Sequence, residues 1–256
     1  MTTVAFLGPR GTFTEQAVLD FTVAGHLPAD ADHVTVTSPA TALDMVRSGA
    51  ADVACVALES SVDGPVTQTF DALTVGTELQ IMREHDVPVA FSLLVRPGTT
   101  LADIHTLTCH PVAYNQTSDW RRTTLPDATF VAASSNGAGA AAVAAGEVDA
   151  ALAPARAGVL NDLVELVGGV ADVPDARTRF VLVTRPQTPP ARTGNDRTAM
   201  VLRVPNEPAS LVMALMELAT RRVDMSRIES RPTREKAGTY NFHVEVAGHI
   251  DDPAVA

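Results

Sequence analysis

The segment Val4-Ala5-Phe6-Leu7-Gly8-Pro9-Arg10-Gly11-Thr12-Phe13-Thr14-Glu15 has a pattern that the chain then repeats. Four apolar residues predict a buried strand, Gly8-Pro9 ends it, and a threonine is available to cap the helix that follows. A strand followed by a helix recurs twice, at 34–36 with 40–46 and at 52–58 with 66–73. Continuously apolar strands alternating with helices are typical of a mostly parallel sheet covered on both faces, so the predicted fold class is α/β.

The rhythm changes over 79–95, where two long strand-like segments follow each other. This change predicts a crossover into a second lobe, and the chain returns to the first lobe through 165–184. The predicted catalytic region, 1–184, therefore has a first lobe at about 1–78 and 165–184 and a second at about 79–164. We expect a two-lobed, periplasmic-binding-protein-like arrangement, in which the cleft between the lobes is a common place for a ligand.

A Pro-rich polar segment at 185–197 predicts a linker. The residues after it, 198–256, have the pattern strand, helix, strand, strand. This βαββ order is the start of a ferredoxin-like unit, which needs one more helix and strand to be complete. The sequence thus predicts a C-terminal domain that is incomplete at its C-terminus, either as a truncated form of a longer chain or as a partial module.

Composition excludes several classes of function. The chain has 256 residues, 46% of them hydrophobic, and a formal net charge of −11, which argues against binding to nucleic acid or to an anionic membrane. Met1 leads directly into a strand without a basic signal segment, and no apolar run approaches the roughly 20 residues of a membrane span. Cys55 and Cys109 are expected to be reduced thiols, so a cytoplasmic location is predicted.

Three segments place polar groups at strand ends. Gly8–Thr12 lies where backbone N–H groups at a helix start can hold an anion, and Glu59-Ser60-Ser61 ends a strand. Thr178-Arg179-Phe180 places a hydroxyl and a fixed positive charge at a strand entrance. Each segment also has a purely structural interpretation, as a tight turn, a capping turn or a solvated strand edge. Cys109-His110 does not predict a metal site, because adjacent strand residues point to opposite faces, and no cofactor is predicted.

Taken in order, these segments resemble the prephenate dehydratase family with its C-terminal ACT regulatory domain. Thr178-Arg179-Phe180 and Glu229-Ser230-Arg231-Pro232 match the family motifs without change. Leu7–Thr14 also matches the opening motif of the family. The partial matches are Ala57–Gly64, Cys109-His110-Pro111 with Gln116, and Ser135-Asn136-Gly137. This chain has Ser60 where the family has Asn, Cys109 where it has Ser, and Asn136 where it has Thr.

The resemblance implies a lyase that converts prephenate to phenylpyruvate with loss of water and carbon dioxide, in L-phenylalanine biosynthesis. It implies that Thr178 is the essential hydroxyl near the leaving oxygen and that Arg179 holds a substrate carboxylate through a bidentate contact. Glu59 is a second candidate catalytic group, either as an acid whose pKa is raised by burial or as a structural acceptor. The remaining residues implied to bind substrate are Phe180, Ser60, Ser61, Gln116, Thr12 and Cys109.

The ACT resemblance implies an L-phenylalanine effector and a homodimer or homotetramer. The implied effector-binding residues are Glu229, Ser230, Arg231, Pro232, Ala209 and Leu211. Pro208–Leu211 stands where the family has Gly-Ala-Leu, and the missing Gly could crowd the effector's backbone.

Three alternatives stay open. Ser60 and Cys109 are compatible with a prephenate decarboxylase that keeps the ring hydroxyl, although the intact Thr178 argues against it. Sequence does not separate arogenate from prephenate as the substrate. A non-enzymatic anion-binding protein with the same two-lobed architecture is the third alternative.

Overall fold

The computed structural model describes residues 1–234 and 236–256. The strands in this part of the chain are β1 Thr3–Leu7, β2 Asp32–Val36, β3 Val53–Ser60, β4 Gly64–Pro65, β5 Gln80–Pro88, β6 Ser92–Val95, β7 Thr106–Cys109, β8 Thr129–Ala132, β9 Ala150–Ala153, β10 Val164–Val167, β11 Arg177–Thr184, β12 Arg197–Arg203, β13 Met225–Pro232 and β14 Tyr240–Ala247. The helices are α1 Phe13–Val23, α2 Pro39–Ser48, α3 Thr67–Leu73, α4 Pro111–Asn115, α5 Ser118–Thr124, α6 Asn136–Ala144, α7 Ala155–Leu160 and α8 Ser210–Thr220, with a 3-10 turn at Leu101–Asp103.

The first lobe is built on one mixed sheet with strand order β2-β1-β3-β11-β5 and with β4 paired to β3. β1 is parallel to both β2 and β3, whereas β11 is antiparallel to β3 and β5. One core, on the side of α1, contains Phe6, Phe21 and Phe180. The other, on the side of α2 and α3, contains Leu43 and Phe70. The sheet is therefore covered on both faces, as the apolar strands predict, and the α/β fold class is confirmed.

The second lobe has its own sheet, with strand order β10-β6-β9-β7-β8. The structure places both crossovers between the lobes later than predicted, because β5 belongs to the first sheet and β10 to the second. β5 pairs with β11 from Pro88↔Arg177 to Gln80↔Thr184. The change of rhythm after residue 79 thus marks a switch from parallel to antiparallel pairing within one sheet, and not the entry into the second lobe.

The two crossover segments lie side by side. Val89 N donates to Ala176 O at 2.7 Å, and Val170 N donates to Phe91 O at 3.0 Å. These backbone hydrogen bonds tie the two connections into one short ribbon between the lobes. The two connections of the chain between the lobes therefore run side by side.

The C-terminal unit has the predicted βαββ order, and its antiparallel sheet has strand order β12-β14-β13. This is the order expected for the first three strands of a ferredoxin-like sheet. The segment before it is held against the first lobe, because Arg185 Nη1 donates to Val46 O at 2.7 Å and Gln187 N donates to Gln80 Oε1 at 2.8 Å. In the part of the chain that is described, no helix combines the length and apolar character that a bilayer span requires.

Candidate active site

Thr178 and Arg179 point to opposite faces of the first-lobe sheet. Phe180 and Leu182 pack in the core on the α1 side, and Val181 packs in the core on the α2 and α3 side. Because side chains alternate along a strand, Thr178 lies on the α1 side and Arg179 on the other. The two residues, both implied by the resemblance to act on the substrate, therefore do not share one face of the sheet.

A β-bulge in β3 gives Thr178 a polar neighbour. Thr178 pairs with Ser60 and Arg179 with Glu59, but Phe180 pairs with Ala57, so Leu58 is the extra residue on β3. The bulge shifts the alternation by one residue beyond Leu58. Ser60 therefore shares a face with Thr178, and Glu59 shares the opposite face with Arg179.

The two serines after the bulge hold the backbone of the strand ends. Ser60 Oγ accepts from Val62 N at 3.2 Å and from Asp63 N at 3.1 Å, which closes the turn that leads to β4. Ser61 Oγ accepts from Arg177 N at 2.9 Å, and Ser61 N donates to Arg177 O at 2.9 Å. Ser61 thus fixes the entrance of β11 one residue before Thr178.

Gln116 reaches this corner from the second lobe. Its Nε2 donates to Asp63 Oδ2, and the same carboxylate oxygen lies 3.5 Å from Ser60 Oγ. Gln116 Oε1 is buried and has no hydrogen-bond partner among the described residues. The structure therefore links Ser60, the cross-strand partner of Thr178, through Asp63 to Gln116 of the second lobe, and it leaves a buried acceptor on Gln116.

Thr12 is the N-cap of α1. Its hydroxyl accepts from Glu15 N at 3.3 Å and donates to Pro9 O at 3.1 Å. Glu15 is only 3% exposed, and its carboxylate accepts from Gly11 N at 2.8 Å and from Arg156 of the second lobe at 3.2 Å. The loop after β1 is thus held closely to both lobes, and the Thr12 hydroxyl already has two backbone partners.

The start of α6 packs against this loop. A Cβ atom on Gly137 would lie 2.6 Å from the carbonyl oxygen of Arg10, so Gly137 permits a close approach of the two lobes that an alanine would prevent. Asn136 Oδ1 accepts from His110 N at 2.9 Å, and Ser135 Oγ caps the helix by accepting from Ala138 N at 3.0 Å. Asn136 therefore serves to position the segment after β7.

Arg179 and Glu59 do not face the cleft. Arg179 Nη2 donates to Glu245 Oε1 at 2.8 Å and to Glu59 Oε2 at 3.0 Å, and its Nη1 donates to Glu84 at 3.1 Å. Burial disfavours the charged form of Arg179, but the three carboxylates outweigh burial and raise its pKa. Glu59 Oε2 also accepts from Arg227 Nη1 at 3.1 Å. Both residues are thus committed to the boundary with the C-terminal unit.

Two further residues expected at the substrate lie in hydrophobic cores. Phe180 is 2% exposed and packs with Val4 and Phe6 in the first lobe. Cys109 is fully buried in the second lobe, and burial raises the pKa of its thiol to about 12, although Arg121 lowers it. These side chains contribute packing in place of the expected substrate contact. Among the described residues, no group of three His, Cys, Asp or Glu side chains could hold a metal ion.

The residues expected at the effector fall on both faces of the C-terminal sheet. Arg231 Nε and Nη2 donate to the two carboxylate oxygens of Asp71 in α3 at 2.7 and 3.0 Å, so this side faces the first lobe. Glu229 pairs with His243 and lies on the same side. Ser230 and Pro232 lie on the opposite side by alternation. Arg231, expected at the effector, is engaged in an ion pair with Asp71 of the first lobe.

Ala209, the N-cap of α8, adopts a left-handed conformation with φ = +67°. This is the conformation that glycine adopts without strain. Leu211 follows in the first turn of α8 and is half-buried. A glycine at the position of Ala209 would therefore be less strained.

Sequence reasoning missed the carboxylates that organise the site. Asp63 lies inside the segment Ala57–Gly64, so its place after a strand could have indicated it. Glu84 and Glu245 lie in strands and have no local signal, because their role depends on which strand packs against β11.

The fold defines a two-lobed α/β protein with a cleft between its lobes and a partial ferredoxin-like βαββ unit after them. The sequence model of the prephenate dehydratase family matches residues 4–188. A prephenate dehydratase of Corynebacterium glutamicum is 53% identical over 256 residues, which covers 100% of this chain and 81% of that protein.

Two solved structures are similar to the chain over almost its whole length. The crystal structure of a prephenate dehydratase in complex with L-Phe from Arthrobacter aurescens is similar with a TM-score of 0.91 and 41% identity, over 99% of this chain and 83% of that one. A structure described as GqqA, a novel type of quorum quenching acylase, has a TM-score of 0.84 and 30% identity, over 99% of this chain and 90% of that one. The chain belongs to the prephenate dehydratase family, and its activity is that of a prephenate dehydratase in phenylalanine biosynthesis.

Proposed function

We propose that the corner formed by Thr178, Ser60 and Gln116 is the place where the ring hydroxyl of prephenate departs, which makes the enzyme a carbon–oxygen lyase. One observation carries this assignment. The Thr178 hydroxyl is half-buried on the cleft side and makes no hydrogen bond to any described residue, whereas Thr12 and both serines use their hydroxyls to hold backbone. Thr178 is thus free to bond a ligand.

The chemistry needs little from the protein. As the carboxylate on the ring leaves as carbon dioxide, the electron pair of its C–C bond enters the ring. The C–O bond to the hydroxyl then breaks at the para carbon of the ring. The departing oxygen takes up one proton and leaves as water, and the ring becomes aromatic. An alcohol is a weak acid at neutral pH, so Thr178 donates a hydrogen bond or relays a proton and does not act as a free acid.

The other substrate contacts follow from what the remaining groups can offer. Gln116 Oε1 is a buried acceptor that suits a substrate hydroxyl. With Arg179 engaged elsewhere, we assign a substrate carboxylate to the backbone N–H groups at the start of α6, where a helix N-terminus favours an anion.

Replacing Thr178 tests the assignment directly. Thr178→Val keeps the β-branched shape but removes the hydroxyl, and general acid–base contributions are worth about 10²- to 10⁴-fold. We expect kcat for phenylpyruvate formation to fall by about that factor in Thr178→Val and to stay within about tenfold in Thr178→Ser. Thermal unfolding should be similar in both variants. Wild-type turnover by Thr178→Val would rule the role out.

We also propose that the C-terminal unit binds L-phenylalanine as an effector. The support is the L-Phe complex of the Arthrobacter aurescens relative together with the matching Glu229–Pro232 segment. Ser230 and Pro232, on the face away from the first lobe, are the members of that segment that we assign to the ligand. Calorimetric titration with L-phenylalanine, with D-phenylalanine as control, should give heat and a parallel change in activity for the L-isomer alone.

The proposal includes a cytoplasmic, homodimeric or homotetrameric enzyme. Two free, buried cysteines fit a reducing compartment. Sedimentation equilibrium of the full chain tests the assembly, and a monomer at micromolar concentration would contradict it.

A further inference from the structure

An ion-pair network joins the C-terminal unit to the strand that carries Thr178. Glu245, in the central strand β14, is 3% exposed, and both of its carboxylate oxygens accept from Arg179 Nη2, at 2.8 and 2.9 Å. Arg179 is 8% exposed and is also bonded to Glu59 and Glu84 of the first lobe. One guanidinium from the first lobe thus meets three carboxylates, and one of them comes from the C-terminal unit.

Two arginines of the C-terminal unit complete the network. Arg197 Nη1 donates to Glu245 Oε2 at 3.3 Å, and its Nε lies 3.8 Å from Glu84 Oε1. Arg227 Nη1 donates to Glu59 Oε2 at 3.1 Å, and its guanidinium carbon lies 4.3 Å from the ring centre of Phe70. The network therefore balances three positive against three negative charges, and each body supplies members of both signs.

The network lies on the face of the sheet opposite to Thr178 and Ser60. Arg179 and Glu59 form one cross-strand pair of β11 and β3, and Thr178 and Ser60 form the next pair. The first pair points toward the C-terminal unit, and the second points toward the cleft. Because adjacent residues share a peptide group, a rotation of β11 that reorients Arg179 also moves the hydroxyl of Thr178.

We propose that Glu245 is a positioning residue for the dehydratase reaction, acting through Arg179 to hold Thr178 and Ser60 at the cleft. This inference rests on the proposed role of Thr178. Loss of the Glu245 charge leaves a buried guanidinium with one carboxylate fewer and with two arginines nearby. Arg179 then turns toward Glu59 and Glu84, which distorts the bulged segment and moves Thr178 away from the leaving oxygen.

The test compares Glu245→Gln with Asp71→Asn in the full chain. Asp71 lies at the same boundary and binds Arg231 and Arg234, but it does not contact Arg179. We expect Glu245→Gln to lower kcat at least tenfold with KM for prephenate within about threefold, and Asp71→Asn to keep both parameters. An equal loss of kcat in both variants would show a general effect of the boundary and overturn the proposal, as would full activity of Glu245→Gln.

Arg179→Lys gives a second measurement, which also covers the case in which Glu245→Gln does not fold. Lysine keeps the charge but cannot bridge Glu245 and Glu84 with two separate nitrogens. We expect the same fall in kcat with KM retained, whereas a rise in KM with kcat retained would make Arg179 a substrate ligand and overturn the proposal. Thr178→Val separates failure of the positioning role from failure of the proposed function. If Thr178→Val is inactive while Arg179→Lys is fully active, only the positioning role is refuted. If Thr178→Val is fully active, the proposed function of Thr178 is itself refuted.

Discussion

Thr178 and Ser60 lie directly opposite each other in the antiparallel pair of β11 and β3. Residues in this relationship have Cβ atoms about 4.5–5.5 Å apart, so a ligand that contacts one hydroxyl lies within reach of the other. The Ser60 oxygen already accepts two backbone hydrogen bonds from its turn. The side chain at position 60 therefore affects both the turn and the cleft. Serine in place of the family's Asn changes the groups available to both.

Ser60→Asn should improve substrate binding. The asparagine oxygen can accept the same backbone N–H groups, because Asx and serine turns are equivalent, and its amide adds a donor toward the cleft. A hydrogen bond to a charged group is worth about 1.5–3 kcal/mol, so we expect KM for prephenate to fall about tenfold or more. Steady-state kinetics measure this. Ser60→Ala, which loses the hydroxyl that accepts in the turn, is the matched control and should lose about 1 kcal/mol of unfolding free energy. A higher KM for prephenate in Ser60→Asn than in the parent would contradict the prediction.

Ala209→Gly should stabilise the C-terminal unit. Ala209 has φ = +67°, and this left-handed conformation costs a residue with a Cβ roughly 1–2 kcal/mol. Part of the gain is lost because glycine is more flexible in the unfolded chain. We expect a net increase of about 0.5–1 kcal/mol in the free energy of unfolding, read from urea denaturation.

Ala219→Gly is the control for that measurement. Ala219 is exposed in the last turn of α8, where the helix favours alanine. This variant should lose up to about 1 kcal/mol, the opposite sign. If both substitutions destabilised the protein equally, the strain assigned to Ala209 would be absent.

Acid should destabilise the protein through His243. Its ring is 6% exposed and stacks edge-on to Phe70 at 4.9 Å; burial, and then the charges of Arg227 and Arg231, lower its pKa from 6.5 to about 4. Between these two values the unfolded chain binds a proton that the folded chain does not. The contribution to stability is therefore complete above pH 6.5 and is lost as the pH falls toward 4.

His243→Leu removes this titration. Between pH 7 and pH 5 the parent should lose about 2 kcal/mol more unfolding free energy than the variant does. Chemical denaturation at both pH values measures the difference. His105→Gln, at an exposed position, should keep the pH dependence of the parent. Parallel stability curves for His243→Leu and the parent would disprove the assignment.

Part of the site was predictable because its signals are local. The Thr178-Arg179-Phe180 motif at a strand entrance and the Gly8–Thr12 turn before a helix are both found where the sequence predicts them. The face that Glu59 occupies was not predictable, because it depends on the extra residue Leu58 in β3. One inserted residue reverses every later side chain on that strand.

The sequence by itself determined the alternation of strands and helices, the βαββ unit after residue 197 and the membership in the family, because apolar periodicity and contiguous motifs are local properties. Only the tertiary structure decided which face each motif residue occupies and which partner it meets. Arg179 is bonded to Glu245, 66 residues away in the chain. Such a pair forms only when two sheets pack against each other, and no local pattern specifies that contact.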